Sequence, residues 1–347
     1  MRFLRFITRA LMALCSPACV SGVTPADMQS PADGPESGWR RAGLGGETSI
    51  WGSGANDVFI VGGFDVLRSR DMGGTWTGLN LPIARNGAYQ LQAVYTTSPS
   101  NVLVVGNFGT LLRSSDDGDT WVTVRSPPDL ADQTLSLYGI WGDGTNVFAV
   151  GDLATIFHSG DGGQTWEEQS IPNNLADCCP PVLHGVWGND RGDVWVAGGD
   201  GDQAAILHTN DGGKTWTYEL HADHLAELQG IWGSGDERWA VGSTDVGPDS
   251  TGVILHSSGG QDQWTQQYSA VPANGLYAVW GSGPDDVYAV GAHEIILHTS
   301  DRGMSWTLSG QGHSATYAFT NPTFLSVWGS GPNDVYVVGS GYSLHKP

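Results

Sequence analysis

Short apolar runs, separated by turns of Gly, Asp, Asn and Ser, recur from about residue 39 to the end of the chain. One unit shows the pattern. Ala278-Val279-Trp280 ends a first strand, and Gly281-Ser282-Gly283-Pro284-Asp285-Asp286 makes a turn in which glycine permits positive φ and Asp accepts turn N–H bonds. Val287-Tyr288-Ala289-Val290-Gly291 predicts a second strand and Ile295-Ile296-Leu297-His298 a third. A second turn, Thr299 to Trp306, leads into a fourth. The same phrase, close to Val-Trp-Gly-Ser-Gly-x-x-Asp-Val-Tyr-x-Val-Gly, returns at the anchors Trp51, Tyr95, Trp141, Trp187, Trp232, Trp280 and Trp328. Its spacings are 44, 46, 46, 45, 48 and 48 residues. Four short strands in such a period describe one blade of a β-propeller, so the chain predicts an all-β, seven-bladed propeller of four-stranded blades over residues 39–347.

The turn before each fourth strand carries Ser-x-Asp-x-Gly-x-Thr-Trp. Well-formed copies span Ser69–Trp76, Ser114–Trp121, Ser159–Trp166, Thr209–Trp216 and Thr299–Trp306, with Asp71, Asp116, Asp161, Asp211 and Asp301 as the acids; in a sixth, Ser257–Trp264, Gly259 replaces the Asp. The role is structural: carboxylate and hydroxyl satisfy backbone donors, Gly turns the chain and Trp packs beneath. The seventh unit reaches only its third strand, at Ser343-Leu344-His345. Ser37-Gly38-Trp39-Arg40-Arg41 reads as its missing fourth strand, so the N-terminal segment is expected to close the last blade and remove an exposed edge.

Composition narrows the partners. The formal net charge is −21, with 36 acidic residues against 15 basic ones, which opposes binding to a phosphate backbone; no nucleic-acid partner is expected. Residues 1–20 read as a signal peptide, with Arg2, Arg5 and Arg9 before an apolar stretch too short to span a bilayer. Ser16-Pro17-Ala18-Cys19 offers a competing lipoprotein reading with lipid on Cys19, the one route to a membrane. Residues 21–38, rich in Pro, Gly, Ser and Asp, read as a flexible linker. The expected location is exported: periplasmic, outer-membrane lipoprotein or secreted.

The repeat also absorbs much candidate chemistry. Every Trp falls at a repeat position, so inter-blade packing explains them better than sugar stacking. His158, His208, His256, His298 and His345 share one third-strand position with Arg68 and Arg113, a scaffold feature expected to bond near the Asp-containing turn. What escapes the repeat lies on the opposite face. Three residues before each anchor stand Thr48, Gln92, Tyr138, His184, Gln229, Tyr277 and Leu325, a variable ring expected to line the channel mouth. The stretches Gly198–Ala205 and Gly242–Gly252 read as long loops of adjacent blades, carrying Asp200, Asp202, Asp245 and Asp249. Gln92, Tyr138, His184, Gln229, Tyr277 and these four acids are the candidate binding residues. His221, Asp223 and His224 form the one metal-like cluster, and Cys178-Cys179 a candidate vicinal disulfide against free thiols. No cofactor is expected.

The turn copies and the blade phrase resemble BNR/Asp-box propellers across residues 39–347, a group that includes sialidases, xyloglucan-type glycoside hydrolases and photosystem II assembly factors. The phrase Trp328 to Gly339 also resembles repeats of exported bacterial proteins. The resemblance implies the fold and leaves activity open. A sialidase would need three converging arginines, yet Arg191, Arg238 and Arg302 fall on the Asp-box face and no Arg-Ile-Pro type opening is present. The expectation is therefore a non-enzymatic binding or assembly module for an extracytoplasmic protein or glycan, acting as a monomer. The alternative is a glycoside hydrolase drawing two carboxylates from Asp65, Asp152, Asp200, Asp202, Asp245 and Glu294.

Overall fold

The computed structural model describes residues 38–347, apart from 43, 84–88, 99, 126–134, 172–179, 190–191, 223–224, 246–249, 260–262, 273–274 and 310–321. Residues 1–20, Cys19, most of the 21–38 linker, Cys178-Cys179, Asp223, His224 and Asp249 lie outside the described residues. The described chain forms seven antiparallel four-stranded sheets, the seven expected blades. The innermost strands are Ser49–Gly54, Leu91–Ser98, Leu137–Gly142, Val182–Gly188, Glu227–Ser234, Leu276–Gly283 and Phe324–Gly331, and blades 1 to 7 follow that order. Strands within a blade are called a to d from the inside outward.

The last blade is split as expected. Its outer strand is Arg40–Arg41, paired with Leu344–Lys346 through Arg40 opposite His345 and Arg41 opposite Leu344. Trp39, 2% exposed, meets Tyr288 of blade 6 edge-on at 6.0 Å and 87°. Trp216 meets Phe148 of blade 3 in the same way, at 6.1 Å and 84°. The outer-strand Trp of each pair thus packs on the strand-b aromatic of the blade before it, and Trp39 does for the closing blade what an Asp-box Trp does elsewhere.

The Asp-boxes take the expected form. Ser69 donates to Asp71 at 2.9 Å and accepts from the Gly73 N–H at 2.9 Å, while Asp71 accepts from the Thr75 N–H and hydroxyl at 2.8 and 2.7 Å. Asp116, Asp161, Asp211 and Asp301 repeat the set. Where Gly259 replaces the acid in blade 5, the Trp264 indole instead donates to Glu219 of blade 4 at 3.1 Å.

The third-strand basic residues are scaffold, bonded on the Asp-box face. Each His stacks on the strand-b aromatic, from Trp239–His256 at 4.9 Å to Tyr336–His345 at 4.0 Å and 4°. His256, His298 and His345 then bond Glu237, Asp286 and Asp334, the acid that opens strand b, at 2.6, 2.7 and 2.7 Å. Arg68 does the same with Asp57 and reaches the Asp117 carbonyl of the next Asp-box. A basic side chain held between a carboxylate and an aromatic face has its polar groups satisfied where it stands.

Candidate functional site

The ring residues have a common backbone origin. In blades 2 to 7 the pairing of strand a with strand b slips by one residue, between Leu91 and Ala93, Leu137 and Gly139, Leu183 and Gly185, Leu228 and Gly230, Leu276 and Ala278, and Phe324 and Ser326. The residues skipped are Gln92, Tyr138, His184, Gln229, Tyr277 and Leu325. Each is therefore the extra residue of a β-bulge, a device that unpairs a residue and re-aims its side chain. All six are half-buried, whereas the residue before five of them, Leu91, Leu137, Leu183, Leu228 and Leu276, is fully buried. Thr48 of blade 1 instead ties strands together, its hydroxyl donating to the Val61 or Leu91 carbonyl at 3.1 and 3.0 Å.

Tight packing surrounds the bulges. A Cβ on Gly151, Gly242 or Gly339, each at the end of strand b, would sit 2.0 Å from the carbonyl oxygen of Ser136, Glu227 or Thr323, so the chain enters strand a against bare backbone. One residue past the bulge, a Cβ on Gly139 would lie 2.4 Å from the His184 carbonyl, and one on Gly185 3.0 Å from the Gly230 Cα. Neighbouring inner strands converge here, beside the side chains that the bulges redirect.

Four of these blades contribute a connected polar cluster. Tyr138 of blade 3 and His184 of blade 4 have ring centroids 5.1 Å apart. His184 Nε2 meets Glu227 Oε1 of blade 5 at 2.7 Å, both side chains 17% exposed. Tyr138 also donates to Asp152 Oδ2 at 3.5 Å, an oxygen that accepts the Ser136 N–H at 2.8 Å. Burial, followed by the charge of Asp152, raises the Tyr138 phenol above its ordinary value; burial, followed by Glu227, does the same for Tyr277 of blade 6. Both phenols are neutral donors at neutral pH, and the charge of Glu227 reaches both.

Glu227 was not among the residues expected from the sequence. Its position, five before the anchor, holds Gly46, Gln90, Ser136, Val182, Gly275 and Thr323 in the other blades, so the one signal was a lone acid among neutral residues. No sequence pattern foretold its bond to His184, 43 residues away.

The acidic sector is built differently from its reading as two long loops. In blade 4, Gly198 and Gly199 pair with Ala205 and Ala204, and in blade 5, Gly242 and Ser243 pair with Val253 and Gly252. Much of the added length thus extends the hairpins, and the outer strands Thr217–Ala222 and Thr265–Pro272 lengthen with them. Asp200 folds its own turn, accepting the Asp202 and Gln203 N–H groups at 2.9 and 2.8 Å. Asp202 and Asp245 are exposed. His221 is exposed on strand d of blade 4, opposite Ala205 and 6.3 Å from the Tyr218 ring. Among the described residues no group of three His, Cys, Asp or Glu could hold a metal ion.

No protein-family model and no curated protein matches the chain. Solved structures do. YCF48 bound to D1 peptide is 17% identical, covering 88% of this chain and 96% of that one, with a TM-score of 0.66. The GH74 xyloglucanase from Xanthomonas campestris is 18% identical over 88% of this chain and 52% of its own, with a TM-score of 0.67. A catalytically inactive H270A virginiamycin B lyase from Staphylococcus aureus, with quinupristin, is 15% identical over 88% of this chain and 98% of its own, at a TM-score of 0.58. These are likenesses of fold: the same propeller serves a peptide-bound protein, a glycoside hydrolase and a lyase.

Proposed function

We propose that the chain is an exported, non-enzymatic binding module that presents the mouth of its propeller and the surrounding loops to a protein partner. One observation carries this reading: the positions that vary while the repeat holds are the bulged residues Gln92, Tyr138, His184, Gln229, Tyr277 and Leu325, all redirected at one end of the inner strands. A fold that needed only to close would gain nothing from a variable, half-buried polar ring, whereas a recognition surface requires one. The peptide on the structurally similar YCF48 supports a polypeptide over a glycan. Export through residues 1–20 belongs to the same proposal, as does lipid on Cys19, which labelled palmitate incorporated by the native chain and not by Cys19→Ser would establish. The glycoside hydrolase alternative draws on the likeness to GH74 and on the carboxylates of Asp152 and Glu227.

Capture from an exported proteome, alongside a glycan array, tests the reading. Native chain should retain a protein partner that Gln92→Ala/Tyr277→Ala loses at unchanged melting temperature. Equal capture by that variant would place the site elsewhere on the ring. Hydrolysis of xyloglucan or sialosides that disappears in Asp152→Ala would replace the binding module with the hydrolase.

A further inference from the structure

We propose that the mouth between blades 3 and 6 takes a cationic side chain, a lysine ammonium or an arginine guanidinium, from the partner polypeptide. This rests on the binding-module reading and names what the site recognises. Two carboxylates from different blades, Asp152 and Glu227, flank the bulged Tyr138 and His184. Each spends one oxygen inside the chain: Asp152 Oδ2 on the Ser136 N–H and the Tyr138 phenol, and Glu227 Oε1 on His184. Among the described residues no hydrogen bond reaches Asp152 Oδ1 or Glu227 Oε2, so each carboxylate keeps an acceptor for an incoming donor. The side chain of Glu227 is 17% exposed, where solvent screens a charge poorly.

None of the seven ring positions is a lysine or an arginine. They hold Thr48, Gln92, Tyr138, His184, Gln229, Tyr277 and Leu325, and the one basic group, His184, is bonded to Glu227. Tyr138 and Tyr277 add aromatic surface, whose faces attract a cation more strongly as it is desolvated. A phosphate or carboxylate ligand would meet two like charges here, and a neutral sugar could hydrogen-bond the two acceptors but would leave their charge unneutralised. One exposed apolar side chain stands beside the pair of carboxylates. Leu153, next to Asp152, is 62% exposed and held at φ 56°, a left-handed conformation unusual for leucine. It offers a surface for the methylene stem that lysine and arginine carry behind the charge. The net charge of −21 draws a basic segment toward the whole molecule, and the cluster gives that attraction a fixed address.

A randomised hexapeptide display library panned against the full chain at neutral pH tests the inference, with calorimetry on single peptides. Recovered peptides should share a Lys or Arg, and replacing it with norleucine or citrulline should weaken binding about tenfold or more. Glu227→Gln should cost a similar factor, and the affinity should fall as salt is raised. Should Glu227→Gln unfold, Gln229→Lys decides the matter: an ammonium built into the ring should exclude the cationic peptide from a stable propeller. Recovery of peptides without a cation that lose affinity in Tyr277→Ala would overturn this inference and leave the mouth as a polypeptide site. Recovery of no peptide would overturn the binding-module reading, and this inference with it.

Discussion

A methyl group on Gly151 would stand 2.0 Å from the Ser136 carbonyl oxygen, and one on Gly283 would meet nothing within 4 Å. The two glycines occur in the same repeat phrase for different reasons. Gly283 serves an open turn, while Gly151 admits the incoming chain that carries the bulged Tyr138. Gly151→Ala must push back a backbone carbonyl that no rotamer can move aside, an overpacking that costs about 1–3 kcal/mol. Thermal unfolding should show a loss of several degrees for Gly151→Ala and almost none for Gly283→Ala. Similar melting for the two variants would mean that the inner strands yield more freely than close packing implies.

At the scale of the element, the Asp-box hairpin stores its stability in one carboxylate. The Thr215 hydroxyl and N–H, then Thr209, hold Asp211 down to about 2, and hydrogen bonds from Thr75 likewise lower Asp71. A carboxylate lowered in the folded state contributes fully above its unfolded value near 3.8 and loses that contribution as pH falls through the folded one. Acidification from about pH 4 to pH 2 should therefore loosen these hairpins, read by fluorescence of the tryptophans beneath them. Asp211→Asn should flatten that part of the acid profile while lowering stability at neutral pH; an acid profile identical to that of the native chain would show that the box does not control it. Blade 5 solves the same packing problem without the acid. Glu219 receives the Trp195 and Trp264 indoles at 3.0 and 3.1 Å and His208 at 2.9 Å. Burial raises this carboxyl, but the hydrogen bonds from His208 and Trp195 outweigh burial and keep it low.

For the whole molecule, closure depends on a short segment far from its partners in sequence. Arg40–Arg41 supplies only two paired residues, and the seal is extended by Trp39 against Tyr288, by the Ala42 and Gly46 N–H groups donating to the Ser343 and Gly339 carbonyls, and by the Ser343 hydroxyl donating to the buried Glu47 at 3.2 Å. Trp39→Ala should cost about 3–5 kcal/mol, as deletion of a buried aromatic does. Deleting residues 1–42 should lower the melting temperature of the entire ring, since an opened propeller exposes a strand edge along blade 7. A ring that melts at the native temperature without residues 1–42 would mean that closure is carried by blades 7 and 1 alone. In the acidic sector, hairpins and outer strands lengthen together in blades 4 and 5.

The blade count, the Asp-box hairpins, the split closing blade and the scaffold role of His298 and His345 follow from the sequence alone, because each rests on a local pattern repeated at a fixed spacing. Repetition states the same packing problem seven times, and any residue obeying it declares its role. The variable ring was legible for the complementary reason: Tyr138, His184 and Tyr277 depart from an otherwise regular phrase. Only the tertiary structure revealed that these departures are β-bulges, since a one-residue slip depends on which strand lies opposite and leaves no mark in the strand that slips. The pairing of His184 with Glu227, the reach of Glu227 to Tyr138 and Tyr277, and the rescue of Trp264 by Glu219 were likewise decided in three dimensions. They join different blades, and contact between blades is set by how the sheets lean together around the axis, which a pattern confined to one repeat does not encode.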